Sequence, residues 1–368
     1  MLYMDAETIE TVGLIITHRC NLNCVYCYIS EKQNKDMPLE TAASILAPPL
    51  SRKNAPPLQI LLMGGEPLLA FDMIRELISW CAKKGWDRKY CFFASTNGTL
   101  LTKERKEWIS RYKDVLTLAL SYDGLPMVQD RNRTQSSSQI DLDFFLENWP
   151  WQKIQMTIDA QSVYRMADGV IYLLEHGFDV NANAAYEKTP WPAESIREYA
   201  RQLRKLVYYY NENPSAKRIY QFCHPFAAYA AAIGQPMEQE RQCGAGDGFV
   251  VYDNDKKPYP CHMLSPLVMD KTLLEKMEFD PQNKKMFFDM RCEECPYIVD
   301  CPTCIGCNYR YRGEFWRRDK THCLLMQIEV LEAMKLEILR LKKTGFTKKD
   351  IQTIQAIKKL YQYINKKR

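Results

Sequence analysis

No stretch of this 368-residue chain approaches the roughly 18 consecutive apolar residues that a membrane-spanning helix needs. The opening MLYMDAETIE has neither a basic leading segment nor an apolar run, so a secretory signal is excluded. Internal repeats are absent, and a chain that is 46% hydrophobic and 12% aromatic is not a disordered tract. These absences predict a soluble, cytoplasmic protein without a membrane partner. The length predicts two domains, or one α/β domain with an appendage. Charge of one sign is also scarce overall, at +5, although Lys335 to Arg368 holds 11 basic and 2 acidic residues. Such a tail can attract an acidic partner, but it reads as the solvated face of a terminal helix, and no nucleic-acid partner is expected.

Cysteine, by contrast, is abundant: 14 residues in a chain with no sign of secretion. In a reducing compartment clustered cysteines read as metal ligands rather than disulfides. One group is Cys20, Cys24 and Cys27. A second runs through Cys243, Cys261, Cys292, Cys295, Cys301, Cys304, Cys307 and Cys323. Cys81 and Cys91 fall in apolar stretches as small core residues, and Cys223 stands alone as a structural one.

From residue 11 to about 186, short apolar runs alternate with amphipathic stretches. Strands are predicted at Thr11–Thr17, Leu58–Met63, Tyr90–Ser95, Leu116–Ser121, Ile154–Ile158 and Asp179–Ala184, with helices at 39–48, 71–84, 102–112 and 164–176. Continuous apolar runs between helices indicate a parallel sheet covered on both faces. The loops MGGEP, STNG and SYDG then leave the carboxyl ends of successive strands, where ligands bind in such sheets. A helical stretch over 193–240 serves as a bridge. A cysteine-rich lobe over 241–325 carries a hairpin in VVYDNDKKPYPCH, and terminal helices occupy 326–368. In the last of these, Thr347 and Asp350 form a capping box. Ile351, Ile354, Ile357, Leu360, Tyr361 and Ile364 make an apolar stripe.

The segment THRCNLNCVYCY places Cys20-x3-Cys24-x2-Cys27 in the loop after the first strand. Three thiolates in one tight loop suit a [4Fe–4S] cubane and leave its fourth iron open, as a catalytic site requires. Zinc, or an electron-transfer cluster with a distant fourth cysteine, is the alternative on spacing alone. With the loops that follow, the chain resembles the radical S-adenosylmethionine (SAM) enzymes. Their signature ends in an aromatic residue before the last cysteine, here Tyr26. It continues with a GGEP-type loop (Gly64, Gly65, Glu66, Pro67), a Thr-Asn-Gly turn (Thr96, Asn97, Gly98), and a Ser-x-Asp-Gly loop with a downstream arginine (Ser121, Asp123, Gly124, Arg133).

The resemblance implies a partial (β/α)6 TIM-like barrel over residues 1–190, within the α/β class. It implies that SAM chelates the open iron. Gly64 and Gly65 would let the backbone approach the methionyl ammonium, and Glu66 would balance its charge. Ser121 and Arg133 would take the carboxylate, Asn97 the ribose, and the Tyr26 backbone the adenine. It also implies the reaction: one electron from the reduced cluster cleaves SAM to methionine and a 5′-deoxyadenosyl radical, which abstracts hydrogen from a C–H bond. An external one-electron reductant of the flavodoxin or ferredoxin type is the implied partner.

The later cysteines resemble the C-terminal SPASM extension of radical SAM enzymes that modify peptides and proteins. Position by position, one auxiliary [4Fe–4S] cluster would use Cys292, Cys295, Cys301 and Cys323. The other would use Cys243, Cys261 and Cys304, with Cys307 as the alternative to Cys304, making three clusters in all. Zinc is again the alternative ligand-bound metal.

Maturases of ribosomally made peptides, which form thioether or C–C crosslinks or epimerise residues, are the favoured class. Their partner would be a precursor peptide. Only 19 residues precede Cys20, so any leader-recognition domain is expected to be a separate protein or absent. Anaerobic sulfatase maturases, which make formylglycine, carry an Asp after the second hairpin cysteine, where this chain has His262. His262 and Asp247 are the acid–base candidates. An iron–sulfur electron carrier is the non-enzymatic alternative.

Overall fold

The protein is described by a computed structural model in which residues 10–235, 243–288, 290–345, 347–348 and 350–367 are placed. The opening nine residues, on which the absence of a signal rests, and the end of the 193–240 helical stretch lie outside the described residues. No helix among the described residues is long and apolar enough to cross a membrane.

The chain forms two compact units: residues 1–156 with 244–281, and residues 157–243 with 282–368. The cysteine-rich stretch expected over 241–325 is therefore shared, 244–281 going with the first unit and 282–325 with the second.

The strands are β1 (Glu10–Thr17), β2 (Leu58–Gly64), β3 (Tyr90–Thr96), β4 (Leu116–Leu120), β5 (Ile154–Ile158), β6 (Val180–Ala184), β7 (Phe249–Tyr252) and β8 (Pro258–Tyr259). The first six lie where the apolar runs predicted them. Helices Leu39–Leu50, Phe71–Lys84, Lys103–Arg111 and Met166–Glu175 fill the predicted intervals. The main sheet has the order β4-β3-β2-β1-β7-β8. β1 to β4 pair in parallel in sequence order, a parallel bridge between Ser121 and Gln155 continues the arc to β5, and β5 pairs with β6. This is the open-barrel arrangement of an α/β fold. Leu14, Ile15 and Ile16 are fully buried, which is why β1 reads as a continuous run rather than an alternation.

The hairpin of β7 and β8 has a place the sequence did not disclose. β7 runs parallel to β1 on the edge away from β2, and β8 folds back antiparallel on β7. Gly13 permits the fit, since a Cβ there would lie 2.8 Å from a Val251 methyl. The hairpin thus covers an edge of the central strand that would otherwise be left unpaired.

In the second unit, helix Lys320–Thr344 packs along Ala193–Glu212, and Asp350–Lys367 along Phe226–Ala232. Tyr229, Tyr297, Met326, Val330, Met334, Ile357 and Leu360 make one core cluster. The apolar stripe of the last helix is only partly inward: Ile357, Leu360 and Ile364 are buried, whereas Ile351, Ile354 and Tyr361 are exposed. The buried face turns through Ala356 instead. At its start, the Thr347 backbone N–H and Oγ1 both donate to Asp350 at 2.8 Å.

Candidate active site

The cysteine loop follows β1 and is stitched to three other loops, each at the carboxyl end of its strand. At β2, the Gly65 and Glu66 N–H groups donate to the Thr17 and Arg19 carbonyls at 3.2 and 2.9 Å. This approach demands the glycine pair. A Cβ on Gly64 would stand 2.2 Å from the Thr17 carbonyl oxygen, and one on Gly65 would stand 2.3 Å from that of Arg19. At β3, Asn97 Nδ2 donates to Asn21 Oδ1 at 2.9 Å, and Asn21 Nδ2 to Thr99 Oγ1 at 2.8 Å. Beyond β4, the Asn23 N–H meets Thr134 Oγ1 at 2.9 Å and the Val25 N–H meets the Asn132 carbonyl at 3.0 Å. The convergence expected of MGGEP, STNG and SYDG is thus observed.

Two buried carboxylates organise these loops. Glu66 accepts from the Leu68 N–H at 3.0 Å, Thr96 Oγ1 at 2.8 Å and the Asn97 N–H at 2.8 Å, locking the β2 loop to the β3 loop. Burial raises its pKa and these hydrogen bonds oppose the rise. Asp123, fully buried, accepts from the Tyr26 hydroxyl at 2.5 Å, Asn132 Nδ2 at 3.0 Å and Arg133 Nη2 at 3.1 Å. The Arg133 guanidinium also lies 5.4 Å from the centre of the Tyr26 ring. Its Nε is buried without an acceptor, an orphaned donor that a ligand carboxylate would satisfy. Ser121 directly follows β4, with its N–H on the Thr96 carbonyl at 2.9 Å.

Sequence reasoning missed a second anchor of the cysteine loop. His18 Nε2 lies 3.0 and 3.1 Å from the two oxygens of Asp253, and Lys35 Nζ lies 3.0 Å from the second of them. Burial opposes ionisation of Asp253, but the hydrogen bonds from His18 and Asn254 and the charges beside it hold its pKa below the usual carboxylate range. His18 and Asp253 are 235 positions apart, so no local signal announces the pair.

The two acid–base candidates part company. His262 opens a short helical turn and packs on Tyr28, directly after Cys27, with ring centres 5.6 Å apart. Burial lowers its pKa to about 4. Asp247 lies in the turn before β7, whose first residue pairs with Thr11 at the start of β1. It is exposed at the opposite end of the sheet from the cysteine loop, and the structure does not bring it to the site. A groove of about 710 Å³ also opens at that far end, between Pro48, Arg52, Phe249 and Phe279, and none of the candidate site residues lines it.

Among the later cysteines, Cys323 is pushed up to about 12, by burial first and then by Cys301, Cys292 and Cys295 around it. These are the four cysteines that the resemblance implies for one auxiliary cluster. Cys304 caps helix Ile305–Arg312 by accepting from the Cys307 N–H at 3.4 Å. A hydrogen bond from the Cys307 side chain outweighs burial and lowers the Cys304 pKa to about 7. Cys307 is buried. Tyr186, whose hydroxyl donates to the Pro302 carbonyl at 2.5 Å, stacks on His322 beside these thiols. Of the remaining cysteines, Cys81 is fully buried, and burial drives its pKa to about 12. Cys223 is exposed.

Residues 14–141 match the model of the Radical SAM superfamily. The chain carries a radical SAM domain. It is similar to the antilisterial bacteriocin subtilosin biosynthesis protein AlbA of Bacillus subtilis, 24% identical over 67% of this chain and 53% of that one. It is also similar to an uncharacterized protein of Methanocaldococcus jannaschii, 36% identical over 30% of this chain and 38% of the relative. The chain spans between 28% and 53% of the length of the curated relatives it matches. Its fold is that of anSMEcpe solved with bound AdoMet and Cp18Cys peptide: TM-score 0.64, 19% identity, covering 91% of this chain and 98% of that one. It also resembles SuiB of Streptococcus suis bound to precursor peptide SuiA: TM-score 0.57, 19% identity, 84% and 75% covered.

Proposed function

We propose that this chain is a radical SAM enzyme that modifies a ribosomally made precursor peptide, leaving a thioether or C–C crosslink or an epimerised residue. The observation that carries the reading is the stitching of the Cys20–Cys27 loop to the loops after β2, β3 and β4, with an unsatisfied buried guanidinium nitrogen among them. The donor set fits the group. Cys20, Cys24 and Cys27 offer three thiolates from one loop, and Arg133 Nε offers a donor for the carboxylate of SAM. A reduced cluster with SAM bound supplies a carbon radical able to take hydrogen from a C–H bond.

The chain's own residues do the holding. Asp123 fixes the Arg133 guanidinium and the Tyr26 ring. Glu66 holds Asn97 and Thr96 in place through three of its four acceptor sites, which leaves one on Oε2 for the ammonium of SAM. Gly64 and Gly65 keep the β2 loop against the cysteine loop, and Ser121, directly after β4, would take the carboxylate of SAM with Arg133. Cys292, Cys295, Cys301 and Cys323 would hold one auxiliary [4Fe–4S] cluster. Cys243, Cys261 and Cys304 would hold the other, with Cys307 as the alternative to Cys304. Partial-length likeness to AlbA, and the fold shared with two peptide-bound enzymes, support a peptide substrate. An external one-electron reductant completes the proposal.

The test is to reduce reconstituted protein with dithionite, add SAM and look for 5′-deoxyadenosine by chromatography. Its absence would overturn the enzymatic reading in favour of an electron carrier. With candidate peptides, a loss of two mass units without an aldehyde marks a crosslink, and unchanged mass with a D-residue on chiral amino-acid analysis marks epimerisation. Formylglycine in the product would move the assignment to the sulfatase-maturase type, with His262 in place of its Asp.

A further inference from the structure

Arg318 is a buried cation that neither the site nor the sequence reading absorbs. Its residue is 8% exposed, Nη1 lies 3.9 Å from Cys301 Sγ, and Nη2 donates to the Phe287 carbonyl at 3.3 Å. The guanidinium carbon stands 5.2 Å from the centre of the Phe288 ring. Among the described residues no carboxylate pairs with it, and its Nε is buried without a partner. The neighbouring Asp319 is taken by Arg312 at 2.6 Å. The titratable groups that face Arg318 are the thiols of Cys301 and Cys292.

A buried, unpaired guanidinium costs several kcal/mol, so its retention here requires an anion. Four cysteine thiolates around an iron–sulfur cluster make such an anion, and the potential of a cluster follows its net charge and the hydrogen bonds to its sulfurs. We infer that Arg318 is the counter-ion of the auxiliary cluster held by Cys292, Cys295, Cys301 and Cys323, and sets its potential by favouring the more negative, reduced state. The inference rests on the auxiliary-cluster reading above. It makes Arg318 a tuning residue, which touches ligand sulfur and not substrate.

The test uses the full chain with Cys20, Cys24 and Cys27 changed to Ala, so that only the auxiliary clusters remain, and follows a redox titration by EPR. Arg318→Gln should move one of the two waves to more negative potential. The expected size is about a tenfold fall in the reduced-to-oxidised ratio at fixed potential, or 59 mV for one electron. Arg318→Lys, which keeps the charge, should leave that wave near its original position. Both waves unchanged in Arg318→Gln at full iron content, or both moved equally, would overturn the inference. Should Arg318→Gln lose the cluster, retention of iron by Arg318→Lys supports the counter-ion role, and loss in both overturns it. Parent protein without iron at these four cysteines would remove the auxiliary-cluster reading itself, and this inference with it.

Discussion

Asp123 binds the candidate site together because one carboxylate serves three donors from two segments: Tyr26 from the cysteine loop, and Asn132 and Arg133 from beyond β4. Asp123→Asn keeps the shape but removes the charge, leaving Arg133 buried and uncompensated. We expect a loss of about 3 kcal/mol, read as a lower denaturant midpoint, and weaker SAM binding by calorimetry. An unchanged midpoint would show that Arg133 finds another anion. Gly65 tests a different force. In Gly65→Ala the new methyl meets the Arg19 carbonyl oxygen at 2.3 Å, and neither backbone can yield without parting the two loops. Overpacking of this kind costs about 1–3 kcal/mol, and iron bound at the first cluster should fall with it. Full iron loading of Gly65→Ala would mean that the loops tolerate separation.

At the scale of elements, the packing of helix Lys320–Thr344 on Ala193–Glu212 contains Glu329, buried and joined to the Tyr199 hydroxyl at 2.5 Å. Burial raises its pKa from 4.5 to about 7, against the pull of the Tyr199 bond. The folded state therefore binds this proton more tightly than the unfolded chain. The stability it contributes is complete below about pH 4.5 and is lost as pH rises through about 7. Denaturant midpoints should fall over that interval, and Glu329→Gln should flatten the fall; an equal slope in both would reject the assignment. The positions of β1 to β6 were legible because parallel strands buried on both faces are unbroken apolar runs. The pairing of β7 with β1 was not, because a four-residue strand 230 or more positions away carries no register in its own pattern. The stripe of the last helix was legible as a helix, yet its inward face was set by the neighbours it met, which buried Ala356 and left Tyr361 in solvent.

At the scale of the whole molecule, the three proposed cubanes would require about twelve irons per chain. The variant lacking Cys20, Cys24 and Cys27 should keep about eight of these and form no 5′-deoxyadenosine. Iron quantitation and chromatography check both outcomes, and a full complement of iron in that variant would place the clusters elsewhere. The sequence by itself determined the close spacing of Cys20, Cys24 and Cys27 and the order of the motifs, because thiols that share a cluster from one loop must lie a few residues apart in the chain. Only the tertiary structure decided that Asp253 reaches His18, that Asp247 faces away, that Glu66 ties the β2 loop to the β3 loop and that Arg318 lies against Cys301. Those contacts join residues through space, and burial and charge, not chain separation, select the partner.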